Sequence, residues 1–353
     1  MKTVRFGIVG FGFMGYEHYK MLHDFPNAAI TAICDRNPEQ LVDVPDGITA
    51  YDDAEKLFAD PNVDVVILSA NNNQHCDLVC KAAAAGKDII CEKPVALSLS
   101  ELDIMEAAVK KAGVRFTVHQ QRRFDPDFRT AKRVVESGTL GDVYTIKSSL
   151  YGYNGNMHDW HVYKAEGGGM LYDWGVHLID QVLWMVDSKV KSVYADLRVV
   201  INKEVDDYFK IILKFYNNLT VEIELGTYYL STKPDWFERH WYAGGNKGTL
   251  ELDGFAPRGN VVRTTRLLTE VGKKRVTGDG GPTRSFGIPD EGLIVSEPVE
   301  AETTCHADYF RNYIAAWNGE ADFLVKIDEV RRVLKLMDAV RESAESGFAV
   351  AFE

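Results

Sequence analysis

A β-branched run from Val4 to Val9 passes directly into Gly10-Phe11-Gly12-Phe13-Met14-Gly15 and then into helical spacing from Met14 to His23. No other segment narrows the possible folds as far. A strand-to-helix turn this tight needs residues without a Cβ, and the exposed N–H groups of the following helix attract a pyrophosphate. Asp35 ends the next strand, 20 residues beyond Gly15, where a carboxylate accepts hydrogen bonds from adenosine ribose hydroxyls. A plain strand–helix turn with a solvated Asp is the rival reading, and the agreement of strand, spacing and acid favours a dinucleotide site. Gly10, Phe11, Gly12, Phe13, Met14, Gly15, Asp35 and Arg36 are therefore expected cofactor contacts. Asp35 predicts NAD as the preferred cofactor because a 2′-phosphate meets its charge, while the Arg36 guanidinium leaves NADP possible.

Strands predicted at Ala29–Cys34, Val63–Ser69, Asp88–Cys91 and Arg115–His119 alternate with helices at Gln74–Ala85 and Ser100–Ala112, the pattern of a parallel α/β sheet. After Gln121 the order changes to a helix at Pro126–Ser137, a strand at Val143–Tyr151 and a long helix over Met170–Val186. Strands at Val190–Val200, Tyr208–Tyr216, Thr220–Thr227, Trp236–Ala243 and Thr249–Leu252 follow, with helices at His306–Trp317 and Ile327–Ser346. The fold class expected is a Rossmann-type α/β nucleotide-binding domain over residues 1–121. An α+β domain with a large, mostly antiparallel open sheet is expected over residues 122–353, for substrate binding and oligomerisation.

Glu92-Lys93-Pro94 follows the strand Asp88–Cys91, so Lys93 falls at the carboxyl edge of the first sheet, with extended backbone imposed by Pro94. An amine there polarises or helps deprotonate a hydroxyl; the plain alternative is a surface ion pair with Glu92. Further on, Asp173 and His177 stand at i and i+4 after Gly167-Gly168-Gly169 and share one helical face. Histidine exchanges protons near neutral pH, and hydride removal from a carbinol requires loss of the hydroxyl proton. A structural Asp–His pair on a buried helix is the competing account. The loop carrying Tyr151, Tyr153, Asn154, His158, Trp160, His161 and Tyr163 combines flat apolar faces with polar edges suited to a pyranose.

The glycine loop, Glu92-Lys93-Pro94 and the Gly167 to His177 segment, in this order and spacing, resemble the Gfo/Idh/MocA family of glucose-fructose oxidoreductases and inositol dehydrogenases. That resemblance implies Lys93, Asp173 and His177 as the catalytic set, with His177 as proton acceptor. Ala70-Asn71-Asn72-Asn73-Gln74-His75 is similar to the family's cofactor loop at Asn72 and His75 and departs from it at Ala70 and Asn71. Glu92, Lys93 and Gln121 join the implied cofactor contacts. The segment His119 to Phe124 resembles the family's crossing between domains, which brings Arg122 and Arg123 within reach of substrate beside Tyr151, His158, Trp160 and the catalytic set; interdomain ion pairing is the other reading of these arginines. Family substrates include inositols, free hexoses, glycosides and nucleotide sugars, so a ring secondary hydroxyl, for example C3 of a glucoside, or an inositol is the expected target.

A net charge of −12 disfavours nucleic acid as a partner, and no apolar run is long enough to cross a bilayer. The five cysteines form no paired metal or redox motif, so no metal is expected. The start of the chain shows no secretory pattern, which predicts a cytoplasmic protein. Aromatic and aliphatic residues on the outward side of strands such as Lys210–Tyr216 predict a homodimer or homotetramer through the second sheet. A cofactor-bound sensor that has lost catalysis is the non-enzymatic alternative.

Overall fold

The computed structural model describes residues 1–153, 157–230, 237–267, 276–278, 281–283 and 291–353. Asn154 and Trp236, both named above, lie outside the described residues.

The first unit runs β1 (Val4–Val9), α1 (Phe13–Leu22), β2 (Ala28–Cys34), β3 (Thr49–Tyr51), α2 (Ala54–Phe58), β4 (Val65–Leu68), α3 (His75–Ala84), β5 (Asp88–Cys91), α4 (Leu99–Ala112) and β6 (Phe116–Val118). Its strands lie in the order β3-β2-β1-β4-β5-β6, all parallel. Every residue of β4 is buried, as a strand covered on both faces requires. The order reverses between β1 and β4, so the loops leaving these two strands flank a crevice at the carboxyl edge. Both β3 and α2 escape sequence periodicity because they are only three and five residues long.

The second unit continues with α5 (Pro126–Glu136), β7 (Val143–Gly152), α6 (Val176–Met185), β8 (Val190–Arg198), β9 (Tyr208–Phe215), β10 (Thr220–Gly226), β11 (Phe237–Gly245), β12 (Gly248–Asp253) and β13 (Arg258–Thr264). After a small hairpin of β14 (Val276–Gly278) and β15 (Gly281–Thr283) come β16 (Ile294–Pro298), α7 (Ala307–Trp317), α8 (Ile327–Ser346) and β17 (Val350–Ala351). Nine strands form one sheet in the order β16-β13-β12-β11-β7-β10-β9-β8-β17, antiparallel except where β10 runs parallel to β7. Alternation sets its two faces: Val221, Ile223 and Leu225 are buried on one side, whereas Glu222 and Glu224 point to the other. The helix expected over Met170–Val186 is two pieces, a π-helical turn at Leu171–Gly175 and then α6; Val176 N–H bonds back to the Leu171 carbonyl, one residue further than an α-turn reaches.

α7 follows eight of the nine strands of the large sheet in the chain yet packs on the first unit. Phe310 and Tyr313 are buried, with ring centroids 6.3 and 6.1 Å from that of Phe6, and Thr117 Oγ1 donates to the Val325 carbonyl at 2.9 Å. A second joint is ionic. Arg123, buried just after β6, donates through Nε and Nη2 to the two carboxylate oxygens of Asp180 on α6 at 2.8 and 2.7 Å, and through Nη1 to Glu329 on α8 at 2.8 Å. Removing one partner of such a pair strands the other charge away from water. Arg123→Ala is therefore expected to lower the free energy of unfolding by about 3–5 kcal/mol, read from the denaturant midpoint; a midpoint equal to wild type would contradict this account.

Candidate active site

The glycine loop has the geometry of a phosphate cradle. Gly10 has φ +88°, and a Cβ there would stand 2.7 Å from the backbone of Ser69 and Ala70; one on Gly15 would meet the Gly10 carbonyl at 2.0 Å. Gly12 differs, because its Cβ would have nothing within 4 Å. That free side opens on a groove of about 930 Å³ lined by Gly10, Gly12, Asp35, Arg36, Asn71 and Gln74, among others. Phe11 N–H donates to Asp35 Oδ2 at 2.7 Å and Asn37 N–H to Oδ1 at 2.8 Å, so the Asp35 carboxylate is fixed at the lip of the loop. The bare glycine backbone, the helix start and the anchored acid fit the adenosine and pyrophosphate of a dinucleotide. Gln121 adds a buried Oε1 with no hydrogen-bond partner among the described residues.

Along the same carboxyl edge, Lys93 reaches out from the end of β5 to the second unit. Its Nζ donates to Asp173 Oδ1 at 2.9 Å and to the Asp173 carbonyl at 3.1 Å, with both side chains largely buried. Asp173 lies within the π-helical turn, so its carbonyl and carboxylate both face the same ammonium. Lys93 is thus paired with Asp173, not held at the surface by Glu92. His177, on the first turn of α6 and buried, meets Gln120 Oε1 through Nδ1 at 3.1 Å. An amide oxygen at this position accepts from the Nδ1–H tautomer, in which the lone pair is on Nε2. Burial, reinforced by the charges of Lys93 and Arg122, holds the His177 pKa well below the usual histidine value, so the imidazole is neutral near pH 7. A neutral ring, an ammonium and a carboxylate set together can take a proton from a hydroxyl and hold the resulting oxygen.

Residues of the surrounding loops divide sharply. His161 lies with Nε2 3.7 Å from Asp173 Oδ2, its pKa lowered by burial, and Trp160 stacks on its ring at a centroid distance of 3.7 Å. Gly168 makes this approach possible, because a Cβ there would meet the His161 carbonyl at 2.4 Å. Arg122 lies 4.0 Å over the ring of Trp174, whose own centroid is 6.1 Å from that of His177. Other expected residues go elsewhere. Tyr151 stands on the open face of the large sheet, its hydroxyl donating to Glu224 at 2.9 Å, because strand alternation turns odd-numbered positions of β7 away from α6. Arg123 is consumed by Asp180 and Glu329, which tie the segment after β6 to α6 and α8. His158 is exposed and paired with its neighbour Asp159.

Three expected cofactor residues face inward. Asn72 donates to the Gly167 carbonyl at 3.2 Å, and His75, fully buried, places its two ring nitrogens 2.9 Å from the Pro94 carbonyl and 3.0 Å from that of Ala70. Both brace the loop after β4, while their neighbours Asn71, Asn73 and Gln74 line the groove. Glu92 is also turned away from the groove, between His18 and His119. His161 was named only as a member of the aromatic loop, and Gln120, within the crossing segment His119 to Phe124, had no role of its own assigned beside Gln121.

Comparison with known proteins agrees with this architecture. The family model for an oxidoreductase family with an NAD-binding Rossmann fold matches residues 4–120, and that for the GFO/IDH/MocA C-terminal domain matches residues 128–251. Myo-inositol 2-dehydrogenase of Thermotoga maritima is 29% identical over 276 residues, covering 76% of this chain and 78% of its own. Inositol 2-dehydrogenase/D-chiro-inositol 3-dehydrogenase of Lactiplantibacillus plantarum is 28% identical over 284 residues, covering 76% and 77%. The solved structure of an NAD-binding protein from Listeria innocua superposes with a TM-score of 0.86 at 32% identity, over 99% of this chain and 97% of that one. With its NAD-binding Rossmann unit and its nine-stranded partner, the chain belongs to the Gfo/Idh/MocA oxidoreductase family.

Proposed function

We propose that this oxidoreductase acts on a ring secondary hydroxyl, or the matching ketone, of a sugar, a glycoside or a cyclitol, with His177 as the acid/base. The observation that carries the reading is the meeting of Lys93 with Asp173, beside a buried neutral His177, at the sheet edge that also holds the dinucleotide groove. The nicotinamide, when bound, takes up a hydride from the carbinol carbon or returns it. His177 Nε2 accepts the hydroxyl proton, and Gln120 keeps that nitrogen free by engaging Nδ1. Lys93 Nζ donates to the same oxygen and stabilises the charge that develops on it, while Asp173 keeps the ammonium in place. In the reverse direction His177 returns the proton.

A cyclic polyol is favoured by the flat Trp160–His161 surface next to Asp173, on which a ring's C–H face packs, and by the inositol dehydrogenases among the relatives. Inositol is one candidate and C3 of a glucoside another. The open face of the large sheet is the surface we assign to self-association. There Tyr194 is exposed, and Tyr151, Tyr208 and Lys210 gather around Glu224.

A screen of inositols, hexoses and glycosides with NAD, and of keto-sugars with NADH, is expected to give turnover on at least one cyclic polyol. His177→Ala and Lys93→Ala are each expected to lower that kcat by about a hundredfold or more with dinucleotide affinity nearly unchanged; full activity in either variant, or turnover of small aliphatic alcohols alone, overturns the assignment. Cofactor preference gives a second expectation. Charge repulsion between Asp35 and a 2′-phosphate should favour NAD over NADP in kcat/KM by at least about tenfold, with Asp35→Ala narrowing the gap, and equal values in the wild type would remove the preference. In solution, light scattering is expected to give a mass of two or four chains; the mass of one chain, 39.6 kDa, at micromolar concentration would refute self-association through the sheet.

A further inference from the structure

Behind Lys93, away from the groove, three polar side chains are buried together in an otherwise apolar layer. Glu92 Oε1 accepts hydrogen bonds from His18 Nε2 at 2.8 Å and from His119 Nδ1 at 2.7 Å, and Glu92 Oε2 accepts one from the Lys93 backbone N–H at 3.1 Å. Both histidines are fully buried, with Phe310 packed against each and Tyr309 against His119. The other nitrogen of each ring, His18 Nδ1 and His119 Nε2, has no hydrogen-bond partner among the described residues. Two buried orphan nitrogens weaken the core relative to apolar side chains of the same shape. A space-filling role does not account for them.

The connections do. His18 comes from α1, Glu92 follows β5 and His119 follows β6, so one carboxylate joins the three segments that meet behind the site. Glu92 is followed by Lys93, which holds Asp173, and His119 is followed by Gln120, which holds His177. A metal ion is the other occupant such a trio brings to mind. Nitrogen donors about 2.0–2.1 Å from a tetrahedral zinc lie about 3.3 Å from their neighbours, whereas here each histidine nitrogen is 2.7–2.8 Å from the carboxylate oxygen, the separation of a charge-assisted hydrogen bond. Burial alone would raise the Glu92 pKa, but the two histidines hold it well below the ordinary glutamate value, and burial pushes His119 down to about 4. The cluster is an ionised carboxylate between two imidazole N–H donors.

We propose that Glu92 is a positioning residue: fixed by His18 and His119, it sets the backbone of Lys93 on one side and the Gln120–His177 contact on the other, so that the two catalytic groups of the proposed reaction keep a common register. The inference deepens the function proposed above and rests on it for its kinetic part alone. In the full-length protein, Glu92→Gln keeps the shape and removes the charge; it is expected to lower kcat at least about tenfold while KM and the NAD Kd stay within about threefold. Glu92→Asp, which keeps the charge one methylene short, is expected to recover part of the lost turnover. Ring-nitrogen NMR of histidine provides a readout that needs no substrate: His177 is expected as the Nδ1–H tautomer in the wild type and as a mixture of tautomers in Glu92→Gln. Wild-type kcat and an unchanged His177 spectrum in Glu92→Gln overturn the proposal, as does wild-type kcat in Glu92→Asp if the Gln variant does not fold. One equivalent of zinc in the purified protein, lost on chelation together with activity, overturns it in favour of a metal site. A wild type inactive on every cyclic polyol removes the proposed substrate class and leaves the NMR comparison to decide on Glu92.

Discussion

An ammonium group with little access to water must find a carboxylate, and the ion pair between Lys93 and Asp173 meets that need across two units of the chain. Lys93 comes from the end of a parallel strand and Asp173 from a π-helical turn, so neither unit alone supplies the pair. The remaining features of the site depend on this contact. It sets the second unit against the sheet edge, brings His177 up to Gln120, and adds a positive charge beside an imidazole that burial already keeps neutral. The neutral imidazole of His177 and the paired ammonium of Lys93 are therefore two aspects of one electrostatic arrangement.

The arrangement is stiffened on several sides by contacts that contribute no chemistry. Arg123 ties the crossing segment to α6 and α8 through Asp180 and Glu329. His75 and Asn72 hold the loop after β4, and Tyr172 donates to the Leu97 carbonyl at 2.7 Å. Asp206, half-buried under the start of the π turn, accepts from Leu171 N–H at 2.7 Å through its carboxylate and from Met170 N–H at 2.9 Å through its carbonyl. The helix start that carries Asp173 and His177 is thereby capped from the loop between β8 and β9 and met by the ammonium from the other side.

How far the sequence could be read follows from the range of each signal. Short-range signals were decisive: the glycine loop, Asp35 and the strand–helix alternation have fixed spacings, and the parallel sheet and its groove follow from them. Lys93 and Asp173 were legible as residues, and their family resemblance named them, but their pairing is a contact between positions 80 apart. Facing direction was the harder property. Tyr151 looked like a substrate contact until strand alternation put it on the open face, and Glu92 looked like a cofactor contact until its histidine partners, one 74 and one 27 positions away, turned it inward. Arg122 and Arg123 are adjacent and chemically equal, yet one stacks on Trp174 near His177 and the other is spent on Asp180. The π turn has no counterpart in apolar periodicity, since it shifts the helix by a single residue.

The path of α7 bears on how the nucleotide unit evolves and how it can be handled. Phe6 in the central strand is covered by Phe310 and Tyr313, and Thr117 is tied to Val325, all from residues that follow β16 in the chain. The unit that binds the dinucleotide is thus completed by a helix that follows eight of the nine strands of the partner sheet. A fragment cut after Gln121 would leave an aromatic wound on its central strands, and grafting the first 121 residues onto a relative's remainder would pair this Phe6 with a foreign α7. Recombination between relatives would have to carry α7 along with the glycine loop to keep this packing.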